Sequence, residues 1–172
     1  MSVKNIFGVF KAYSTRVGSG PMVTELTGDL GNAIRERAWE YGTTTGRPRR
    51  CGWFDGVAAR YSTMVNGFTS AILTRLDVLD GLPSVNVCVD YRLDGTTLKD
   101  FPASSTTLEK CVPVYEELSG WDRPTASVNQ FKDLPPEAVR YVQFLEKVIG
   151  RPIDLISTGP KRHETIVVRQ VL

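Results

Sequence analysis

Residues 135–152 contain the feature that most limits what this chain can fold into, a predicted helix with clear signals at both ends. Pro135 and Pro136 favour a first helical turn, Gly150 ends the helix, and Pro152 prevents it from resuming. Apolar residues recur between them at helical spacing. These residues are Val139, Val142, Leu145, Val148 and Ile149. Because strand-like segments precede and follow this helix, the chain is predicted to belong to the α/β class.

Short runs of β-branched and aromatic residues predict the strands. The first run ends at a Gly-Ser-Gly-Pro loop, and two others flank a Leu-Asp-Gly turn as a predicted hairpin. The predicted strands cover residues 6–17, 71–73, 86–92, 96–100, 112–116, 153–156 and 165–169. We therefore predict a mixed sheet with flanking helices, in one unit that spans residues 1–172 without an internal repeat.

Two further helices are predicted between these strands. Asn32 can cap the first, over residues 33–41, and Asp55 can cap the second, which ends near residue 66. The predicted inward-facing residues are Ile34, Ala38 and Tyr41 in the first helix and Val57, Ala58, Tyr61 and Val65 in the second.

The composition excludes several classes of protein. Hydrophobic residues make up 41% and charged residues 23% of the 172 residues, which is ordinary for a soluble globular domain. A net charge of +2 is too balanced for a dedicated nucleic-acid binder, and no apolar run approaches the roughly 20 residues of a membrane span. Cys51, Cys88 and Cys111 are odd in number and widely spaced, which suggests neither a disulfide framework nor a zinc site. A reduced, cytoplasmic location is the natural prediction.

Residues 42–52 form the most informative polar segment, with three glycines, three threonines and three arginines. Glycines let a backbone approach a ligand closely, and exposed N–H and hydroxyl groups can bind anionic oxygens. If Pro48 keeps the backbone extended, Arg47 and Arg49 point the same way and can clamp a small dianion, such as a dicarboxylic acid or a phosphate. Two alternatives stay open at this point: a solvated basic loop, or a nucleic-acid contact that also uses Arg50.

The order of residues is more specific than their spacing. Residues 44–53, Thr-Thr-Gly-Arg-Pro-Arg-Arg-Cys-Gly-Trp, are similar to the aspartate-binding loop of the adenylosuccinate synthetases. Residues 11–21 are similar to the strand and loop upstream of it, and residues 73–82 to the end of the guanine-binding strand. Residues 115–121 match another motif of the family, and residues 156–160 are similar to its C-terminal nucleotide loop. The resemblance spans almost the whole chain, in the family's order.

This resemblance implies a fold, a reaction and a cofactor. The family joins inosine monophosphate (IMP) to aspartate with GTP and Mg²⁺, as a ligase of purine biosynthesis. The oxygen of the base is phosphorylated, and the aspartate amine then displaces the phosphate. The family's fold is a large mixed sheet related to nucleoside-triphosphate-binding proteins. The chain is thus expected to be the C-terminal substrate-binding region of a larger, homodimeric enzyme that binds GTP, IMP and aspartate, with no nucleic acid and no membrane as partners.

The resemblance also implies where each substrate binds. Arg47 would reach the IMP ribose as well as aspartate, Arg49 would lie between aspartate and GTP, and Pro48 would contribute only backbone and shape. The implied aspartate-binding residues are Thr43, Thr44, Thr45, Gly46, Arg47, Pro48 and Arg49, and the implied IMP-binding residues are Val17 and Arg47.

For the guanine base, the resemblance implies that Asp77 accepts hydrogen bonds from the N1–H and the exocyclic amine. Arg75 and Pro160 would flank the ring; Arg75 replaces the family's usual Lys, a substitution that is not neutral. The implied GTP-binding residues are Arg49, Arg75, Leu76, Asp77, Ser157, Thr158, Gly159 and Pro160. An alternative role for Asp77 is to cap the turn that begins at Val78.

The family's Gly-rich phosphate loop and its catalytic Asp and His lie in an N-terminal half to which nothing in this chain corresponds. The chain has no G-x-x-x-x-G-K-[ST] segment. Its single histidine, His163, is predicted to lie in a surface turn. We therefore expect no catalytic residue and no metal ligand here, with Mg²⁺ held by the N-terminal half, and no turnover by this chain alone. The alternative is a non-catalytic guanine-nucleotide-binding protein derived from the family.

Several other residues have a simpler expected role than chemistry. Cys51 follows two arginines, which could favour its thiolate, but a small packing residue is the preferred interpretation. Asp80 precedes a glycine and is interpreted as a turn residue. Burial is the expectation for the tryptophans, Trp39, Trp53 and Trp121.

Overall fold

The structure, a computed structural model, describes residues 4–170. Its strands in chain order are β1 (Phe7–Lys11), β2 (Ser14–Arg16), β3 (Arg50–Gly52), β4 (Phe54–Asp55), β5 (Ser70–Thr74), β6 (Ser84–Leu93), β7 (Thr96–Thr97), β8 (Val112–Ser119), β9 (Ile153–Ser157) and β10 (Thr165–Val167). Its α-helices are α1 (Asp29–Ala38), α2 (Gly56–Asn66), α3 (Ser105–Glu109) and α4 (Pro136–Ile149), and single 3₁₀ turns cover Leu76–Leu79 and Phe131–Asp133. No helix within residues 4–170 has the length and apolar character that a membrane crossing needs.

The main sheet has the strand order β1-β5-β9-β10. Strands β1, β5 and β9 are parallel, and β10 is antiparallel to β9. Parallel strands end at the same edge of a sheet, and ligands of open α/β sheets bind outside these carboxyl ends. The segments that follow β1, β5 and β9 therefore meet at one edge. The prediction of an α/β protein with mixed sheets and flanking helices is confirmed.

Two smaller sheets complete the architecture. In the first, β4 pairs with β6 in parallel, while β7 and β8 pair with β6 in antiparallel fashion. The predicted hairpin is present between β6 and β7, but its second strand covers only Thr96–Thr97 instead of residues 96–100. In the second, β2 pairs with β3, with Arg16 opposite Arg50. This ribbon places the loop after β2 beside residues 42–49, although the two segments are far apart in sequence.

Helix α4 forms as its sequence predicts, with Pro136 in its first turn and Gly150 in the left-handed conformation at its end. Burying one Val or Leu side chain contributes about 1.5–3 kcal/mol, so this face anchors the fold. The Tyr141 hydroxyl, which the prediction left out, donates to the Ala12 carbonyl at 2.6 Å and ties α4 to the end of β1. The buried residues are Ala138, Tyr141, Val142, Leu145, Val148 and Ile149, and the predicted Val139 is only half-buried.

The sequence placed the first strand and first helix less well. Residues 6–17 are not one strand, because the chain leaves the sheet at Ala12 and Tyr13 between β1 and β2. Helix α1 begins at Asp29 after Gly28, whose φ is 81°, rather than after Asn32. An acidic residue in the first turn complements the helix dipole, which is the signal that the prediction overlooked.

The predicted inner face of α2 is confirmed for Val57, which is buried, and is wrong for two of its four residues. Asp55 does cap the helix, accepting from the Ala58 N–H at 3.0 Å. Tyr61 and Val65, however, are exposed. A Cβ atom on Gly56 would lie 2.5 Å from the Cys88 carbonyl oxygen, so α2 approaches β6 through this glycine and turns Tyr61 outward. The buried residues are Gly56, Val57, Ala59 and Thr63, and the predicted Ala58 is half-buried.

Candidate functional site

The predicted aspartate loop, residues 42–49, is a tight hairpin whose tip faces solvent. The Gly42 N–H donates to the Arg47 carbonyl at 2.9 Å, and the Gly46 N–H donates to the Gly42 carbonyl at 2.8 Å. Gly46 has a φ of +63°, in the left-handed region that favours glycine. The loop backbone is therefore held by its own hydrogen bonds. The exposed residues of the loop are Thr43, Thr44, Thr45, Gly46, Arg47 and Pro48.

The two arginines predicted to clamp a dianion have different surroundings. Arg47 is exposed at the end of the hairpin. Arg49 is half-buried, and its Nη1 donates to the Glu40 carboxylate at 2.7 Å. The Arg49 Nε is buried and has no hydrogen-bond partner within residues 4–170. The fold thus fixes Arg49 by an ion pair, whereas Arg47 faces solvent, and joint binding of one dianion stays a prediction.

Glu40 is the residue at this site that the sequence analysis missed. Only 3% exposed, it accepts from Lys11 Nζ at 2.5 Å, the Tyr13 hydroxyl at 2.6 Å and Arg49 at 2.7 Å. Burial alone would raise the pKa of Glu40, but these three donors lower it below its usual value. Glu40 therefore stays ionised and joins the end of β1 to the aspartate loop. No local motif marks it, because its partners lie up to 29 residues away.

A cavity of about 660 Å³ opens beside this loop. Trp39, at the end of α1, is 74% exposed, and its ring centre lies 5.2 Å from that of Tyr41. The expectation of burial is therefore wrong for Trp39 and confirmed for Trp53 and Trp121. The cavity is lined by Glu36, Trp39, Tyr41, Gly42, Thr43, Gly46 and Arg49.

The turn Leu76–Leu79 follows the carboxyl end of β5 and carries Asp77. The Asp77 Oδ1 is buried and has no hydrogen-bond partner in the described part of the chain. Burial raises the pKa of this carboxyl, and the neighbouring Arg75 only partly opposes that effect. The alternative role as a cap is wrong, because Arg75 occupies the cap position and no side chain caps the turn. A buried, unpaired acceptor is costly, which is typical of a position completed by a ligand.

The segment after β9 lies beside this turn, because β5 and β9 are adjacent and parallel with Leu73 opposite Ile156. The Thr158 hydroxyl donates inward to the Val128 carbonyl at 2.9 Å, so Thr158 supports the segment rather than facing a cavity. A Cβ atom on Gly159 would lie 2.4 Å from Glu164 Oε2, so a larger residue there would displace the carboxylate that accepts from the Lys161 N–H at 2.7 Å. The structure thus brings together the two segments predicted to bind guanine: Arg75, Leu76 and Asp77 with Ser157, Thr158, Gly159 and Pro160.

Within these segments, the side chains play unequal parts. Leu76 is fully buried in the core, so only its backbone can face a ligand. Pro160 is exposed. Arg75 has a left-handed φ of 65°, and its Nη2 donates to the Ala38 carbonyl at the end of α1. The residue in place of the family's usual Lys is therefore tied to the helix that precedes the aspartate loop.

Val17, predicted to line the IMP pocket, is 74% exposed on the loop after β2. Arg50 holds this loop, donating to the Gly18 carbonyl at 3.2 Å and the Gly20 carbonyl at 2.5 Å. It also pairs with the Glu25 carboxylate through Nε at 2.7 Å. These contacts engage the Arg50 guanidinium within the protein, which disfavours the nucleic-acid alternative that needed it at the surface.

Three further residues test the simpler interpretations. Cys51 is fully buried, and burial raises the pKa of its thiol, so it packs as expected and is not a thiolate. His163 is exposed in a turn, as predicted. Asp80 does more than shape a turn: its carboxylate accepts from Trp121 Nε1 at 2.6 Å and from the Thr125 N–H and hydroxyl, both at 2.8 Å. Asp80 thus anchors the segment after β8 to the Leu76–Leu79 turn, which is called the guanine turn below after its predicted ligand.

Metal-binding residue types do not gather in this region. Within residues 4–170, no three His, Cys, Asp or Glu side chains lie in an arrangement that could hold a metal ion.

The known proteins that this chain resembles belong to the family that its sequence motifs indicated. The family model for adenylosuccinate synthetase matches residues 1–166. The adenylosuccinate synthetase of Thermomicrobium roseum is 56% identical over 164 residues, 95% of this chain and 38% of the relative. That of Caldanaerobacter subterraneus subsp. tengcongensis is 50% identical over 167 residues, 97% of this chain and 39% of the relative.

Among solved structures, the fully ligated adenylosuccinate synthetase from Plasmodium falciparum superimposes with a TM-score of 0.93. Its sequence is 41% identical, and the match covers 97% of this chain and 40% of that one. This chain thus spans about 40% of the length of the relatives it matches. Family model, sequence identity and fold all agree, and the chain belongs to the adenylosuccinate synthetase family.

Proposed function

We propose that this chain forms the aspartate-, IMP- and GTP-binding region of an adenylosuccinate synthetase, a ligase that joins IMP to aspartate in purine biosynthesis. The observation that carries the proposal is the buried Asp77 Oδ1 at the carboxyl edge of the main sheet, which has no hydrogen-bond partner within residues 4–170. Proteins with an open α/β sheet bind ligands outside the carboxyl ends of their parallel strands, and the two segments proposed to bind guanine meet there.

Guanine suits Asp77 better than adenine does. An ionised carboxylate only accepts hydrogen bonds, and guanine offers an N–H and an NH₂ along one edge. Adenine lacks the N1–H and carries its amine elsewhere, so the carboxylate would remain partly unpaired at a cost of about 1–3 kcal/mol. Guanine binding would therefore relieve an unfavourable state of the free protein.

The aspartate substrate is assigned to the hairpin of residues 43–49 and the cavity beside it. Its two carboxylates would meet the exposed Arg47, the threonine hydroxyls and the backbone N–H groups of the loop. Glu40 would keep Arg49 oriented towards the GTP side. Val17, on the loop after β2, and Arg47, on the hairpin, are proposed to contact IMP. The pairing of β2 with β3 holds this loop and the hairpin side by side.

The chemical step needs groups from elsewhere in the enzyme. We expect the phosphate-binding loop, the catalytic acid and base and the ligands of Mg²⁺ to come from the part of the full-length enzyme to which this chain does not correspond. When bound, the ion would neutralise charge on the transferred phosphoryl group. The residues of this chain would bind and orient the three substrates. A homodimeric enzyme in the cytoplasm is part of the same proposal.

The test exchanges one oxygen for a nitrogen at the guanine site. A chimera is made in which residues 1–166 replace the matching segment of the full-length T. roseum synthetase. Adenylosuccinate formation is then measured with GTP and with xanthosine triphosphate, whose carbonyl replaces the guanine amine. Asp77→Asn should lower GTP use and raise the relative use of xanthosine triphosphate, because an amide can donate to that carbonyl.

Asp94→Asn provides the matched control, since Asp94 is an exposed residue in the hairpin turn after β6. This variant should leave nucleotide preference unchanged. An inactive chimera, or an Asp77→Asn chimera with the original preference, would contradict the proposed function.

A further inference from the structure

Helix α1 lies between the two proposed ligand segments. It packs against β3, which ends the aspartate loop, and against the Leu76–Leu79 turn. Its buried face consists of Gly31, Ile34 and Ala38. Two arginines near its C-terminus lie beside this face and reach in different directions.

Arg35 reaches the aspartate loop. Its Nε donates to the Arg49 carbonyl at 2.6 Å. The Arg49 N–H in turn donates to the Glu40 carbonyl at 2.9 Å. The backbone of Arg49 is thus held on both its N–H and its carbonyl side, and both contacts come from α1 or the residues that follow it.

Arg37 reaches the guanine turn. Its Nη1 donates to the Val78 carbonyl at 2.9 Å and also to the Asp80 carbonyl. Val78 directly follows Asp77, and Asp80 lies three residues after it, so Arg37 fixes the backbone on the C-terminal side of Asp77. In the opposite direction, Arg75 from the same turn donates to the Ala38 carbonyl. Cationic donors at the last turn of a helix also interact favourably with its dipole.

We propose that Arg35 and Arg37 are positioning residues. Through them, the C-terminal end of α1 acts as a shared support that holds both the aspartate loop and the guanine turn in place. Neither arginine is assigned a ligand contact. Arg35 sets the position of Arg49, Arg37 sets the position of Asp77, and both depend on one helix. This inference rests on the proposed function, because it assumes that the loop binds aspartate and the turn binds guanine.

Arginine suits this role because its guanidinium carries several N–H donors at fixed angles and stays charged at all relevant pH values. A single nitrogen of Arg37 serves two carbonyls of the same turn. A shared support of this kind predicts separate effects: loss of one arginine should disturb mainly the segment that this arginine holds.

The test measures KM for each substrate in the T. roseum chimera. Arg37→Ala should raise the KM for GTP about tenfold, because hydrogen bonds from a charged donor are lost, and should change the KM for aspartate less than about threefold. Arg35→Ala should show the reverse pattern. Arg37→Lys should recover most of the GTP affinity, because an ammonium can also donate to two carbonyls.

Arg60→Ala is the matched control. Arg60 also lies on a helix and donates to a backbone carbonyl, that of Val89 at 2.6 Å, away from both segments. It should alter neither KM. Melting temperatures of all variants are measured in parallel, so that a general loss of stability is recognised.

Unchanged KM values in Arg35→Ala and Arg37→Ala would overturn the inference. Equal increases in both KM values, accompanied by lower melting temperatures, would also overturn it, because they indicate a purely structural role. Asp77→Asn and Arg47→Leu are measured in the same series. If these two variants change the kinetics with GTP and with aspartate while the arginine variants do not, only the positioning role of Arg35 and Arg37 is contradicted. If Asp77→Asn and Arg47→Leu also have no effect, the proposed function is contradicted.

Discussion

Glu40 and Asp77 are both carboxylates placed beside a proposed ligand, yet the fold surrounds them in opposite ways. Glu40 accepts from Lys11, Tyr13 and Arg49, and its pKa is lowered despite burial. The Asp77 Oδ1 is buried without a partner in the described residues, and its pKa is raised. One carboxylate is fully used by the protein, and the other is left incomplete.

The difference separates support from recognition. A carboxylate that is already satisfied stabilises the fold and fixes its neighbours, here Arg49, but has little capacity left for a ligand. A carboxylate left unpaired destabilises the free protein and gains most from a ligand that brings donors. The loop proposed to bind aspartate thus rests on a completed network, whereas the turn proposed to bind guanine keeps an acceptor without a partner in the described residues.

The largest effect is expected at Arg47, which lies outside the Glu40 network. In the chimera, Arg47→Leu should lower catalytic efficiency for aspartate by about 100-fold, since a bidentate charged contact is lost. The KM for GTP should change little. Steady-state kinetics with each substrate varied in turn measure both values. An unchanged aspartate dependence would show that the loop does not bind the acid.

Glu40→Gln tests the supporting role. Removing one partner of a buried ion pair costs about 3–5 kcal/mol, and partial exposure of Lys11 and Arg49 reduces the expected loss to about 2 kcal/mol in unfolding free energy. Urea denaturation of this chain measures it. Glu137→Gln, which removes an exposed pair with Arg140, is the control and should have little effect. Equal stabilities of the two variants would remove the distinction between Glu40 and a surface carboxylate.

Asp77→Asn should have the smallest effect on stability and the opposite sign. Without ligand, it should stabilise this chain by about 1 kcal/mol near neutral pH, because it removes the charge from a carboxylate whose Oδ1 is buried without a partner in residues 4–170. The same urea denaturation, carried out across a pH series, measures this difference. A destabilised Asp77→Asn chain at neutral pH would show that Asp77 supports the fold as Glu40 does.

The pH dependence of the two carboxylates should also differ in sign. The pKa of Glu40 is lowered from 4.5, so its contribution is present above that value and is lost as pH falls through its folded-state pKa. The pKa of Asp77 is raised from 3.8, so its penalty is absent below that value and grows as pH rises through the folded-state pKa. The deficit of Glu40→Gln and the gain of Asp77→Asn should therefore both shrink in acid. Differences that persist unchanged below these values would exclude both assignments.

Sequence alone determined the elements whose signals are local. Helix α4 has its apolar spacing, its prolines and its terminal glycine within one short segment, and it formed as predicted. The alternation of strands and helices was enough for the α/β class. The family motifs were equally readable, because they are contiguous strings of residues.

Tertiary structure decided which residues work together and which faces are buried. The inner face of α2 depends on the close approach of Gly56 to β6, and the exposure of Trp39 on the left-handed turn after α1. Asp80 anchors Trp121 across 41 residues of sequence, and Glu40 meets Lys11 across 29. Such contacts arise only when sheet order and helix packing bring distant segments together. A pattern in sequence records periodicity and local conformation, whereas the satisfaction of a buried charge depends on donors that the fold supplies from elsewhere.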